Sequence, residues 1–286
     1  MTGQRKLRSL TSALATLTMI AVLAAVARAG DEADLAKEAL NPVAALISLP
    51  VKYDYNGNIG PVEQGNQSVL TIQPVIPFSI SADWNLISRT IISLVDQHNL
   101  VPGAGTPDGL ADVTPGSGTH RGLGDITQQF YFSPKTPTDG GWIWGVGPQI
   151  LLPTGDDMLT AGRWGVGPTA VVLKQMNGWT YGMLANQIWS ASSNRRKSDY
   201  SVSYVQPFLA YTTSTYTTVG INTESTYNWK AEQWSVPVNL TLTQIFKLGK
   251  QPLSLQGGLR YWADTLDGVG PKGWGYRMQC TVLFPK

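Results

Sequence analysis

The chain is poor in the residues that carry most enzymatic and metal chemistry. Its 286 residues include one cysteine, Cys280, and two histidines, His98 and His120. A single cysteine excludes an intramolecular disulfide, and no His, Cys, Asp or Glu cluster has metal-ligand spacing. Nucleotide-binding and nucleophile-elbow motifs are also missing. We therefore expect no catalytic residue, no cofactor and no metal.

Charge is scarce as well. Charged residues make up 14% of the chain, below the roughly 25% that is usual in soluble domains, while 42% of residues are hydrophobic. The net charge of +2 is too small to suggest nucleic acid as a partner. Mean hydropathy is −0.08, which argues against membrane helices of ~20 apolar residues each. A membrane β-barrel needs only alternate apolar residues in its strands, so this composition is compatible with one.

The N-terminus has every element of a secretory signal peptide. Arg5, Lys6 and Arg8 precede an apolar run over 14–26, and Ala27-Arg28-Ala29 is a small-residue cleavage site. We predict a signal peptide over 1–29. Its removal leaves a mature chain with two more acidic than basic residues.

One helix is predicted at the start of the mature chain. The sequence DEADLAKEA over 31–39 has acidic residues in its first turn, and Asn41-Pro42 ends it. We assign 30–46 to a short N-terminal periplasmic or lumen-plugging segment, and a frayed terminus remains an equal alternative. Residues 47–286 form the remaining unit.

Strands with alternating apolar and polar residues are predicted throughout 47–286, most clearly in the last third of the chain. Successive side chains of a strand point to opposite faces, so Leu240 and Thr241 belong to different faces. Turn residues divide the rest into strands over 47–55, 67–80, 83–94, 123–133, 142–152, 164–175, 179–191, 200–212 and 216–229. The region 97–119 is rich in Gly, Pro and Thr and predicts a long loop, either folded inward as a constriction or disordered outside.

The predicted fold class is all-β: a closed antiparallel transmembrane β-barrel of about twelve strands with a short N-terminal helix. The strands are longer than the ~5–6 residues of soluble sheets and suit tilted membrane strands of ~9–11. Internal prolines predict bulges or short strands. Aromatic residues near strand ends predict interfacial girdles, with Trp84, Trp142, Trp164, Trp179, Trp189, Trp229, Trp234, Tyr261, Trp262, Trp274 and Tyr276 as their members.

A short repeat marks two adjacent strands. The sequence Trp-Gly-Val-Gly-Pro occurs over 144–148 and again over 164–168. We interpret its glycines as sites of close backbone approach or of a bend.

Several motifs, taken together and in order, resemble a bacterial envelope family. They are Asn41-Pro42, LISLP over 46–50, GLGD over 122–125, LPTG over 152–155, GRWGVGP over 162–168, QPFLAY over 206–211, NTES over 222–225 and the closing LFPK over 283–286. The chain resembles the outer-membrane proteins labelled "MetA-pathway of phenol degradation", whose members also carry "transporter" or, wrongly, "neuromedin U" labels. The resemblance implies an outer-membrane β-barrel that forms a channel for hydrophobic or aromatic compounds, and it supplies no binding residues.

Strand parity selects the side chains that should face the lumen. They are Asn222, Glu224, Asn239, Thr241, Thr243, Ser254, Gln256, Arg260, Arg277, Gln279 and Thr281. Among them, Glu224, Arg260 and Arg277 are the charges that we expect to shape passage or hold a plug. A salt-bridge network that only stabilises the barrel is an equal alternative.

The functional hypothesis is passive transport of small, hydrophobic or aromatic molecules across the bacterial outer membrane. The expected partners are outer-membrane lipid, the outer-membrane assembly machinery and an unidentified small-molecule solute. One alternative is a soluble periplasmic or secreted β-sandwich that binds a ligand through surface aromatics. Another is a barrel lipid hydrolase, in which His120 would act with Ser117 or Ser133.

Overall fold

The computed structural model describes residues 31–60, 63–99, 119–157, 159–191 and 198–285, with side chains from 35 onward. The predicted signal peptide over 1–29 lies outside the described residues, as do Ser117 and most of the predicted loop over 97–119. No helix in the described ranges is both long enough and apolar enough to cross a membrane.

The N-terminal helix and fifteen strand segments account for most of the described chain. Helix α1 covers Asp31–Ala39, as predicted. The strand segments are β1 (Ile47–Ile59), β2 (Gly65–Ile72), β3 (Val75–Ser79), β4 (Trp84–His98), β5 (Thr119–Leu123), β6 (Ile126–Pro134), β7 (Trp142–Leu152), β8 (Gly165–Met176), β9 (Trp179–Ser190), β10 (Ser201–Thr212), β11 (Thr217–Thr223), β12 (Ser225–Asn228), β13 (Gln233–Leu248), β14 (Gln251–Asp264) and β15 (Gly273–Phe284).

These segments make one closed barrel of twelve antiparallel strands. Three pairs of segments (β2 with β3, β5 with β6, β11 with β12) lie end to end against one neighbour, so each pair forms a single interrupted strand. The sheet closes where β15 pairs with β1, and every other strand pairs with its neighbours in chain order. The predicted closed antiparallel barrel is therefore confirmed, and the soluble β-sandwich alternative is wrong, because one sheet closes on itself.

The two ends of the barrel differ in their connections. One end, the short-turn end, carries turns over 80–83, 135–141, 177–178, 213–216 and 249–250. The other end, the long-loop end, carries the connections that include 153–164, 191–200 and 265–272. Because the strand number is even, β1 begins and β15 ends at the short-turn end. In bacterial barrels the short turns are periplasmic.

Several predicted strand limits need correction. Strand β1 continues through Asn56-Gly57-Asn58 to Ile59, with a register shift between Asn56 and Ile59. The predicted loop over 97–119 is shorter, because Gln97 and His98 extend β4 and Thr119 opens β5. Among the prolines, Pro74 separates β2 from β3 and Pro237 lies at a register shift, as a missing N–H donor requires.

The outward face of the barrel is apolar and the inward face is mixed. Leu240, Leu259 and Met278 are 54%, 46% and 41% exposed on the outside, whereas Thr241 is 6% exposed on the inside. Aromatic residues lie on the outer surface near both ends, with ring contacts such as Trp179–Tyr211 and Tyr261–Trp274. Trp262 is the exception among the predicted girdle residues, since it is buried inside the barrel.

The Trp-Gly-Val-Gly-Pro repeat places glycine where neighbouring strands come close. A Cβ atom on Gly147 would collide with the carbonyl oxygen of Phe130, and one on Gly167 would collide with that of Gln187. The predicted close approach of the backbone at these glycines is what the structure shows. The two copies meet only at their last residues, because Pro148 pairs with Pro168 across β7 and β8.

Candidate functional site

The barrel encloses a cavity of about 470 Å³. This volume lies within the range of ordinary small-molecule pockets. Mainly polar and charged side chains from β11 to β15 and from β1 line one wall. The wall from β4 to β10 mixes apolar side chains with Arg89, Ser93, Thr127, Gln129, Gln149, Asn186 and Gln206. The interior is therefore charged on one side and mixed on the other.

Arg277 is the centre of the charged wall. Its Nε donates to Asp54 Oδ1 at 2.6 Å and its Nη2 to Asp54 Oδ2 at 3.1 Å. The same guanidinium donates to both oxygens of Glu224, at 2.9 Å from Nη1 and 2.6 Å from Nη2. Paired contacts of this kind use the planar fork of arginine fully, so the Arg277 side chain is held in one orientation.

Arg260 approaches the same carboxylate from the next strand. Its Nη2 donates to Glu224 Oε2 at 2.5 Å, and its Nε donates to Asn239 Oδ1 at 2.8 Å. The guanidinium carbon lies 5.5 Å from the centre of the Trp262 ring, within range of a cation–π interaction. Trp262 Nε1 in turn donates to Asn56 Oδ1 at 3.1 Å.

Lys52 adds a third cation to these two carboxylates. Its Nζ lies 3.4 Å from Asp54 Oδ2 and 3.6 Å from Glu224 Oε1. The five side chains, which we call the charge cluster, carry a net charge of +1. The side chains of Arg260 and Arg277 are 4% exposed, and those of Lys52 and Glu224 are 15% exposed. The cluster thus sits in the wall but still borders the cavity.

Strand register explains how the cluster assembles. Asp54 and Arg277 are directly opposite each other across the β1–β15 pair, and Asn239 faces Arg260 across β13 and β14. Glu224 lies in the break between β11 and β12. All of these residues share the inward parity of their strands.

The opposite wall is built around a buried apolar group. Ile87, Tyr131, Leu173 and Leu184 pack together with Val43, which comes from the segment that follows helix α1. A Cβ atom on Gly145 would lie 3.0 Å from Val43, so the small residue at that position leaves room for the segment. Residues between 38 and 46 therefore line the cavity from inside the barrel.

Helix α1 is held near the short-turn end. Leu35 and Ala36 pack with Ile245 of β13 and Leu283 of β15. The side-chain amide of Gln175 donates to the Lys37 carbonyl at 2.9 Å. These contacts place the helix against inward-facing residues rather than on the outer surface.

The loop over 153–164 narrows the cavity from the long-loop end. Leu159, Thr160 and Ala161 are buried and line the cavity. Asp125 holds the two ends of this loop, because its carboxylate accepts from Gly155 N at 3.1 Å and from Gly162 N at 3.2 Å.

Tyr200, the residue before β10, is buried and contacts the same loop. Its hydroxyl donates to the Arg163 carbonyl at 3.3 Å, and Arg163 pairs with Asp199. Burial and the nearby Asp125 carboxylate raise the pKa of the Tyr200 hydroxyl, so it remains a donor at neutral pH.

The residues chosen by strand parity all lie on the inward side. Nine of them line the cavity, and Asn239 and Ser254 are buried behind it. The structure brings Glu224, Arg260 and Arg277 into direct contact and links them to Asn222 through Asn239, whose Nδ2 donates to Asn222 Oδ1 at 2.9 Å. The others lie apart from the charge cluster: Thr241 contacts the Gly220 carbonyl, Gln256 donates to Thr243, Gln279 donates to Thr281, and Ser254 faces Thr281 across β14 and β15.

Sequence reasoning missed three inward residues of β1. Lys52, Asp54 and Asn56 alternate with Tyr53 and Tyr55, which is the same period-two signal that marked the last strands.

Of the two proposed hydrolase pairs, His120 and Ser133 are not brought together, and Ser117 lies outside the described residues. His120 lies in β5 near the long-loop end, and Ser133 lies near the opposite end of β6. At ~3.3 Å per strand residue they are roughly 40 Å apart. The Ser133 hydroxyl donates to the Trp144 carbonyl at 2.7 Å.

Comparison with known proteins gives the fold and the family. The structure is similar to the COG4313 outer membrane channel from Pseudomonas putida F1, with a TM-score of 0.59 and 16% identity over 84% of this chain and 96% of that one. The beta domain of the Bordetella autotransporter Brka gives a TM-score of 0.43 and 14% identity over 84% of this chain and 100% of that one. None of the curated proteins compared matches significantly. The family model described as "Putative MetA-pathway of phenol degradation" matches residues 56–268, which is well over half of the chain, and the chain therefore belongs to this family.

Proposed function

We propose that the protein is a passive channel for small molecules in the bacterial outer membrane. The observation that carries the proposal is a closed barrel with an apolar outer face and a polar-walled cavity inside. In lipid, a closed barrel satisfies every backbone group, and an apolar outer band with aromatic ends suits a bilayer. Export would follow removal of residues 1–29, and the partners would be outer-membrane lipid and its assembly machinery.

Two internal elements would set the width of the path. Residues 30–46 would act as a plug segment at the short-turn end, since helix α1 packs against Ile245 and Leu283 inside the barrel. The loop over 153–164 would form the second narrowing, because it is fixed by Asp125. Small solutes would then pass through the interior between these elements. Hydrophobic or aromatic solutes would contact the apolar side chains of the mixed wall.

The test is reconstitution of the purified mature chain in planar lipid bilayers and in liposomes. A closed barrel is expected to shift its mobility on denaturing gels when it is heated, which serves as the control for folding. The proposal predicts discrete conductance steps in KCl and efflux of small solutes. Heat-shifting protein that gives neither conductance nor efflux would overturn it.

A further inference from the structure

One cation in the cavity wall differs from the others in its surroundings. Lys52, Arg260 and Arg277 each lie within 4 Å of at least one carboxylate oxygen of the charge cluster. Arg89 also lines the cavity, from the inward face of β4, but it has no ion pair with any carboxylate in the described ranges. Its Nη2 donates a hydrogen bond to Gln73 Oε1 at 3.1 Å. A guanidinium stays charged at any ordinary pH, so Arg89 brings an uncompensated positive charge to the cavity.

Apolar side chains share the cavity wall with Arg89. Val75 is its register partner across β3 and β4. Tyr204 and Phe208 face the cavity from β10, and all three pack against the apolar group that contains Ile87. Each of these side chains lines the cavity.

A partly buried cation beside apolar surface is poorly solvated, and an anion that reaches it forms a charge-assisted, bidentate contact. The neighbouring Val75, Tyr204 and Phe208 would cover an apolar body attached to that anion. We infer that the cavity selects small monoanions with an apolar or aromatic body, with the anionic group on Arg89 and the body against Val75, Tyr204 and Phe208. This inference rests on the proposed channel function and names its substrate class.

The experiment compares three solutes of nearly equal size: benzoate, neutral benzamide and cationic benzylamine. Efflux from liposomes and binding to the detergent-solubilised mature chain by calorimetry are both measured. The wild type is expected to bind benzoate at least about tenfold more tightly than benzamide. The reason is that a hydrogen bond between Arg89 and a charged carboxylate contributes more binding free energy than one to a neutral amide. Efflux of benzoate should exceed that of both other solutes.

The variants separate charge from apolar contact. Arg89→Gln should lower benzoate binding about tenfold or more and leave benzamide binding unchanged. Arg121→Gln is the matched control, because Arg121 has a 72% exposed side chain, pairs with Asp96 and does not line the cavity. Phe208→Ala should weaken benzoate binding while leaving any acetate binding as it was. Each variant must retain the heat-dependent gel shift.

Failure of this inference can be distinguished from failure of the proposed channel function. Absent KCl conductance overturns the channel, while calorimetry still tests the cavity. Conductance with equal binding of benzoate and benzamide overturns the inference and leaves the channel standing. A folded Arg89→Gln variant that keeps the wild-type preference for benzoate also overturns it, as does acetate binding as tight as benzoate binding.

Discussion

The charge cluster allows a prediction that joins stability to ion selectivity through Glu224. The substitution Glu224→Gln keeps the shape of the side chain and removes one negative charge. Arg277 and Arg260 would then share Asp54 as the one remaining carboxylate of the cluster, and the net charge of the cluster would rise from +1 to +2. Loss of one partner from a buried ion pair costs about 3–5 kcal/mol, and the residual exposure of Glu224 favours the lower end, about 3 kcal/mol.

The same change should alter permeation. For an ion that passes about 8 Å from this position, removing the charge changes its electrostatic energy by about 0.5–2 kcal/mol, for effective dielectric constants between 80 and 20. Chloride entry would be favoured and potassium entry disfavoured, so the permeability ratio of Cl⁻ to K⁺ should rise at least about twofold. Salt near 0.1 M keeps the screening length at about 10 Å, which preserves the effect.

The assays are urea unfolding in liposomes and reversal potentials across planar bilayers. Asp264→Asn is the matched control, because it removes the same charge from an exposed position at the end of β14. The control should stay within about 0.5 kcal/mol of the wild type and keep its reversal potential. If Glu224→Gln behaved like Asp264→Asn in both assays, the charge cluster would neither stabilise the barrel nor act on passing ions.

Three further experiments test other parts of the structure. Leu240→Arg, on the outer face near the middle of β13, should cost ~2–4 kcal/mol or block assembly, whereas Thr241→Arg, which enters the cavity, should assemble; equal gel shifts for both would contradict the assigned faces. Asp125→Ala removes the hydrogen bonds that the Asp125 carboxylate accepts from Gly155 and Gly162 at the two ends of the 153–164 loop, so conductance should increase and limited proteolysis should cut between 153 and 164. Unchanged conductance and cleavage would show that the loop does not narrow the path. Gly167→Ala forces a collision with the neighbouring strand and should lower the urea midpoint, while Gly57→Ala, with ordinary contacts at 3.7 Å, should not; equal midpoints would contradict the close approach.

Much of the barrel could be predicted from the sequence, because its strands carry a strict period of two. Strand β7 and helix α1 match their predicted limits, and the inward set from β13 to β15 follows directly from parity. The girdle prediction is wrong for Trp262, because it followed nearness to a strand end and ignored parity, which places Trp262 on the same inward face as Arg260. Neighbouring residues of a strand face opposite sides, so only one of these two can be in the girdle.

The composition of the candidate site could not be predicted, because parity gives the face and leaves the alignment of distant strands open. Asp54 and Arg277 are 223 residues apart in the chain, yet they form the central pair of the charge cluster. The inward position of the 153–164 loop was not predicted either. Sequence reasoning considered only 97–119, most of which lies outside the described residues, so that prediction stays open. Residues 159–161 line the cavity, and Asp125 holds both ends of their loop, which loop length does not indicate.

The Asp54–Arg277 pair also bears on how the barrel closes in the membrane. Strands β1 and β15 are the first and last strands in chain order, and this pair spans the seam between them. In a sheet left open at this seam, Asp54 would lack Arg277, and its carboxylate would have to stay hydrated. Sealing the seam therefore coincides with satisfying its buried charges, so the completed cylinder is favoured over any open sheet. The ion pair between Asp54 and Arg277 can form only when β1 and β15 pair in the correct register, so it favours correct closure of the barrel.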